Sequence, residues 1–221
     1  GIYYASANYL RMAMYLELSR PAGDVSRWEK VLKRLTLLNK NYPLKGHKCD
    51  EAEFQRPTNT SIEENQSLSL ITRSTLINMG AIFFGGFAIS LYSRYMPANI
   101  KTKFNNIPDF DVLSENPKRT ADILKERLRD EGYKNVKVIH HNAIGEIVAP
   151  HYDIRIGNET VCFIYEPLAC HSYNIIKIKG MNIKIATIDT MLSFYLAFLY
   201  TDRSYYDEDR ILCMCEFLFK V

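Results

Sequence analysis

Ala81-Ile82-Phe83-Phe84-Gly85-Gly86, followed later by Pro108-Asp109-Phe110-Asp111-Val112-Leu113-Ser114, is the pair of stretches that decides the fold. The first is an apolar run that stops at a double glycine and leads into a helical segment, Phe87 to Tyr95. The second reads as a strand. Residues two apart in a strand point to one face, so Asp109 and Asp111 project side by side. Adjacent carboxylates repel, and Mg²⁺ is commonly held by one or two carboxylates together with substrate phosphates. Gly85 and Gly86 let backbone come close to a phosphate, and the helix start behind them favours negative charge. The chemistry these residue types imply is metal-assisted nucleotidyl transfer.

Around this centre the pattern predicts helix 67–79, the Gly-Gly turn, helix 87–95, strand 110–113 and helix 119–131. Strands follow at 136–140, 146–156 and 160–165, the last two joined by a hairpin-type turn at Gly157-Asn158. Short strands at 175–178 and 183–185 precede a terminal helix pair, 187–200 and 207–219. Helices alternating with a mixed sheet give an α+β class.

The opening residues recur near the end. Gly1-Ile2-Tyr3-Tyr4-Ala5-Ser6 matches Asn182-Ile183-Lys184-Ile185-Ala186-Thr187 in type and spacing. Each reads as a short strand followed by a helix capped by Ser6 or Thr187. Repeats of this kind indicate duplicated units. Residues 1–45 are therefore expected to be a helical pair, the end of a first unit, and 46–66 a polar linker. The main domain is expected at 67–221. The chain begins at Gly1, and the expectation is a piece of a longer protein. On this reading Tyr9, Leu10, Met14, Val31 and Leu35 should be buried.

The chain of 221 residues is 47% hydrophobic with a net charge of +3, which permits a substantial core and local basic patches. Five cysteines without regular spacing read as reduced thiols, and Cys213-Met214-Cys215 as core rather than a metal site. No apolar run is long enough to span a bilayer, so no membrane partner is expected.

A third acid would complete a two-ion site in which the ions sit about 4 Å apart. Asp153, in His151-Tyr152-Asp153-Ile154-Arg155, is the first choice and Glu166 the alternate. The plain alternative for Asp153 is a strand aspartate paired with Arg155 or His151. No residue in Val161-Cys162-Phe163-Ile164 supplies an acid, although that strand is the one otherwise expected to carry it. Ser90 and Arg94 share a helix face after Gly86 and are candidates to touch a triphosphate. In Cys170-His171-Ser172-Tyr173-Asn174, Tyr173 could stack on a base and Asn174 bond its edge, against a satisfied loop network as the plainer reading.

The Gly-Gly and Asp-x-Asp pattern resembles the nucleotidyltransferase superfamily, the fold of DNA polymerase beta, poly(A) polymerases and CCA-adding enzymes. With Glu115-Asn116-Pro117 and Tyr165-Glu166-Pro167 it looks most similar to the poly(A) polymerase catalytic subunits of large cytoplasmic DNA viruses, over roughly residues 75–200. The resemblance implies a nucleotidyltransferase-like mixed sheet with flanking helices and addition of adenylate from ATP to RNA 3′ ends. It implies Asp109, Asp111 and Asp153 as metal ligands for Mg²⁺ or Mn²⁺, and Gly85, Gly86, Ser90 and Arg94 around the triphosphate. It also implies a cytoplasmic location, viral factory or virion. Two rival readings stay open. One is a degenerate, non-catalytic module that binds RNA or mediates homodimer contacts. The other is a small-molecule nucleotidyltransferase.

Overall fold

The computed structural model describes residues 1–20, 25–49, 62–92, 98–102, 110–201 and 206–221. Asp109 and Arg94 lie outside these described residues. The helices are α1 (Ala7–Leu18), α2 (Trp28–Asn41), α3 (Ile62–Asn78), α4 (Gly85–Leu91), α5 (Ala98–Lys101), α6 (Pro117–Asp130), α7 (Ile188–Phe198) and α8 (Glu208–Lys220). The strands are β1 (Ile82–Phe84), β2 (Phe110–Leu113), β3 (Val136–His141), β4 (His151–Ile156), β5 (Glu159–Tyr165), β6 (Tyr173–Ile178) and β7 (Met181–Ala186). They form one mixed sheet in the order β3-β4-β5-β2-β1-β7-β6. The β1/β7 and β2/β5 pairs are parallel and the other pairs antiparallel. This α+β architecture agrees with the class expected from the sequence.

Local chemistry accounts for the boundaries. Asn116 caps α6 by accepting from the Arg119 N–H, and Pro117 occupies the first turn, where no donor is lost. The β4–β5 turn holds Gly157 at φ 60°, a conformation glycine adopts without a Cβ penalty. The β6–β7 turn is Lys179-Gly180, both at positive φ (47° and 82°), as a two-residue hairpin loop requires. The strand expected at 146–156 is shorter. Ile144 and Val148 form an isolated bridge, and β4 begins only after Pro150, which cannot donate to a ladder. Helix α3 starts at Ile62, inside the segment read as linker.

Register assigns side chains to faces. Ile82, Phe84, Asp111, Leu113, Phe163, Tyr165, His151, Asp153 and Lys184 share one face. Helix α7 lies on this face, with Phe194 edge-on to Phe84 and Phe198 against Tyr165. Val112, Cys162, Ile164 and Ile154 on the other face are all fully buried, and α6, whose Leu124 and Leu128 are fully buried, packs against β3, β4 and β5.

Helix α1 packs antiparallel on α7. The Ser6 Oγ lies 2.8 Å from the Tyr200 hydroxyl at one end. At the other, the Ser172 N–H donates to the Ser19 carbonyl and its own carbonyl accepts from the Thr187 N–H. Residues Ser6 (φ −64°, ψ 154°) and Thr187 (φ −66°, ψ 161°) cap with the same backbone geometry. The burial of the first pair differs from expectation. Val31 and Leu35 are buried and Met14 half-buried, but Tyr9 and Leu10 are exposed. The buried stripe of α1 is Arg11, Met12 and Tyr15. Arg11 accounts for the shift. Its guanidinium donates to the Asn39 Oδ1 at 2.7 Å and to the Asn8 Oδ1 and the Tyr42 carbonyl, fastening α1 to α2. Burial lowers its pKa below the ordinary value. Residues 1–5, expected as a strand tail, form no strand, and Ile2, Tyr3 and Tyr4 are exposed.

The cysteines also depart from expectation. Cys49 and Cys213 form a disulfide with a Cα–Cα distance of 5.3 Å, joining the segment after α2 to α8. The Gly46 N–H donates to Glu216 Oε2 beside it. Cys162, Cys170 and Cys215 remain thiols, and burial raises the Cys215 pKa.

Candidate functional site

Strand β1 ends where the double glycine begins. Gly85 has φ +73°, and a Cβ built there would lie 2.1 Å from the Asp111 Oδ2. The Asp111 carboxylate therefore occupies the space a side chain would take. Only glycine accommodates both the left-handed backbone and the close approach. The β1/β2 register, with Phe84 opposite Asp111, brings this about. Beneath it, Phe83, Phe87 and Phe110 pack edge to face with centroids 5.1–5.9 Å apart. The Ser90 hydroxyl donates to the Phe87 carbonyl at 2.6 Å, a bond within its own helix.

The other half of the expected site is arranged differently. In the register, Asp111 pairs with Phe163 on β5, and Phe163 pairs with Asp153 on β4. Asp111 and Asp153 thus share a face with a phenylalanine between them. At strand spacings of about 4.8 Å their backbones are on the order of 10 Å apart. The Asp153 carboxylate is 0% exposed and accepts from the Arg155 Nε at 2.6 Å, with His141 Nε2 at 3.8 Å from the same oxygen. That is the structural pairing which the sequence offered as the alternative for this residue. Its Oδ1 and the His141 Nε2 make no hydrogen bond among the described residues. Glu166 is exposed, just past the end of β5.

Two divalent ions about 4 Å apart need carboxylates that converge. Among the described residues no three of His, Cys, Asp or Glu come together in a way that could hold a metal ion. Among the described residues the donors do not converge on a two-ion site: Phe163 offers no oxygen, and one oxygen of Asp153 is bonded to Arg155.

Sequence reasoning passed over a stack of aromatic and imidazole rings on the same face. His141 stacks on His151 (4.8 Å) and His151 on Tyr165 (4.5 Å). The signal available was the i, i+2 placement of His151 and Asp153. An apolar cavity of about 30 Å³ lies beyond, lined by Phe84, Tyr165, Glu166, His171, Phe194 and Phe198. It has room for a water or two, not for a nucleobase. Burial drives the His171 pKa down to about 4, helped by the Arg20 charge.

No helix among the described residues is long and apolar enough to cross a membrane. No protein-family model and no curated protein sequence matches the chain. Among solved structures, the chain is similar to the crystal structure of the Megavirus polyadenylate synthase, with a TM-score of 0.79 and 15% identity. The similarity covers 98% of this chain and 45% of that one, so the chain spans less than half the length of its structural neighbour. What the likeness shows is the fold, a seven-stranded mixed sheet with flanking helices.

Proposed function

We propose that this chain is a nucleotidyltransferase-like unit of a protein that adds adenylate from ATP to RNA 3′ ends, and that this unit is not itself the transfer centre. The fold likeness and the Gly-Gly and Asp-x-Asp frame support the first half. One observation carries the second: Phe163 stands between Asp111 and Asp153. A unit that transfers a nucleotidyl group positions the reactants and neutralises developing charge. Asp109 and Asp111 alone, with an apolar ring where the third acid belongs, cannot clamp both the attacking and the leaving oxygen. Mg²⁺ or Mn²⁺ and the triphosphate then belong to a complete site elsewhere in the protein. Gly85 and Ser90 act in this unit as framework. The shared cap geometry of Ser6 and Thr187 and the antiparallel α1/α7 contact support reading residues 1–45 as the close of a first, related unit.

Extension of an oligo(A) primer by the full-length protein with ATP and Mn²⁺ tests both halves. The Asp109→Ala, Asp111→Ala double variant should extend the primer within about twofold of wild type, since removal of a group outside the transition state leaves kcat/KM unchanged. Abolished extension by a folded double variant would make this unit the transfer centre. Absence of extension by the wild-type protein would overturn the adenylation reading.

A further inference from the structure

We propose that the β6–β7 hairpin is a docking face for single-stranded RNA, separate from any transfer centre. Between Glu166 and Asp189 the chain carries no acidic residue and three lysines, Lys177, Lys179 and Lys184. The hairpin folds this stretch into the open edge of the sheet. Register puts Tyr173, Ile175, Lys177 and Lys184 on one face, because Ile175 pairs with Lys184 and Tyr173 with Ala186. Tyr173 is 42% exposed and Ile175 61% exposed. The Lys184 Nζ lies 5.3 Å from the Tyr173 ring centroid. None of the three lysines makes an ion pair among the described residues.

Lysines on an edge strand are a common guard against strand pairing with another chain. That accounts for the charge and not for its neighbours. A bare β-branched isoleucine and a tyrosine beside the same lysines would defeat a guard. Together they match what single-stranded nucleic acid requires: an aromatic platform for an unstacked base, and cations for the phosphates on either side. The charge selects a polyanion, and the exposed ring selects one with π faces. Lys184 also pairs with Ile82 on β1, three residues before Gly85, so the face is continuous in register with that of Asp111.

Binding of fluorescein-labelled oligo(A) to the chain, followed by anisotropy without nucleotide or metal, tests this apart from the transfer reading. Tyr173→Ala should weaken binding roughly tenfold while Tyr173→Phe retains it, because stacking needs the ring and not the hydroxyl. The Lys177→Ala, Lys184→Ala variant should flatten the slope of log affinity against log salt by about 1.4, near 0.7 for each lost phosphate contact on a single strand. Circular dichroism and thermal midpoints of these surface variants should match wild type. Affinity and salt slope unchanged in both variants would overturn the proposal. So would equal competition by poly-glutamate, which would make the face a site for acidic protein, or equal binding of duplex RNA, whose stacked bases cannot use Tyr173. Intact oligo(A) binding by Asp109→Ala, Asp111→Ala is expected whatever that variant does in primer extension.

Discussion

On β1 and β2, Gly85 gives up its side-chain space to the Asp111 carboxylate; two strands away on β4, Asp153 is sealed against Arg155 with Phe163 in between. The first half keeps a glycine and a carboxylate in close approach, and in the second the carboxylate is held in an ion pair. The two halves differ in what sustains them. A Gly-Gly turn beside an acid is held by strand pairing and a positive φ, so folding alone preserves it. A third carboxylate has no folding role. A phenylalanine in its place contributes ring contacts such as that with His151, 5.9 Å away. On the proposed reading, the fold retains the Gly-Gly and Asp-x-Asp signature without a converging set of donors.

The comparison breaks most directly at Arg155. If Asp153 is a structural carboxylate, Arg155→Met leaves a fully buried charge with only the His141 imidazole beside it. The expected cost is about 3–4 kcal/mol in urea unfolding, reduced if water reaches the site past the partly exposed arginine. Added Mn²⁺ should not restore it. A metal-dependent recovery would mean that Asp153 is a ligand awaiting its ion.

On the other side, Gly85→Ala should cost roughly 2–3 kcal/mol, from the left-handed backbone and the collision with Asp111. In the background of Asp111→Gly the collision is gone and only the backbone penalty of about 1 kcal/mol should remain. Additive losses in this double-mutant cycle would show that the carboxylate does not rest on Gly85.

A smaller effect marks the floor of the cavity next to both halves. His171 has a folded pKa of about 4 against an ordinary 6.5. Above pH 6.5 the ring is neutral in both states and contributes no pH dependence. As pH falls from 6.5 towards 4 the unfolded chain takes up a proton that the folded chain does not, so stability is lost, by on the order of 2 kcal/mol. His171→Phe should remove that part of the pH dependence. Unfolding free energies of wild type and variant that run parallel between pH 7 and 4 would place the imidazole in contact with water.

Much of the framework was legible in the sequence. Phe110–Leu113 stands where the apolar pattern put it, and Asn116-Pro117 and Gly157-Asn158 mark their cap and turn, because their signals are local. The sequence pattern starts helix α3 five residues late, because Glu63-Glu64-Asn65-Gln66 is a polar run without helical periodicity. The Cys49–Cys213 bond escaped because its partners are 164 residues apart and nothing in their spacing links them. The composition of the site was visible and its convergence was not. That Phe163 faces Asp111 follows from β5 pairing parallel with β2, a long-range register that no local pattern encodes. The same register placed Asp153 one strand too far, although its i, i+2 relation to Arg155 already pointed to the ion pair.

The central claim is that this unit lacks a convergent carboxylate set, and electron paramagnetic resonance of Mn²⁺ with a non-hydrolysable ATP analogue tests it most directly. The account predicts no spin-coupled ion pair, and the same spectrum for wild type and Asp153→Asn. A coupled pair in the wild-type chain that disappears in both Asp111→Asn and Asp153→Asn would contradict it.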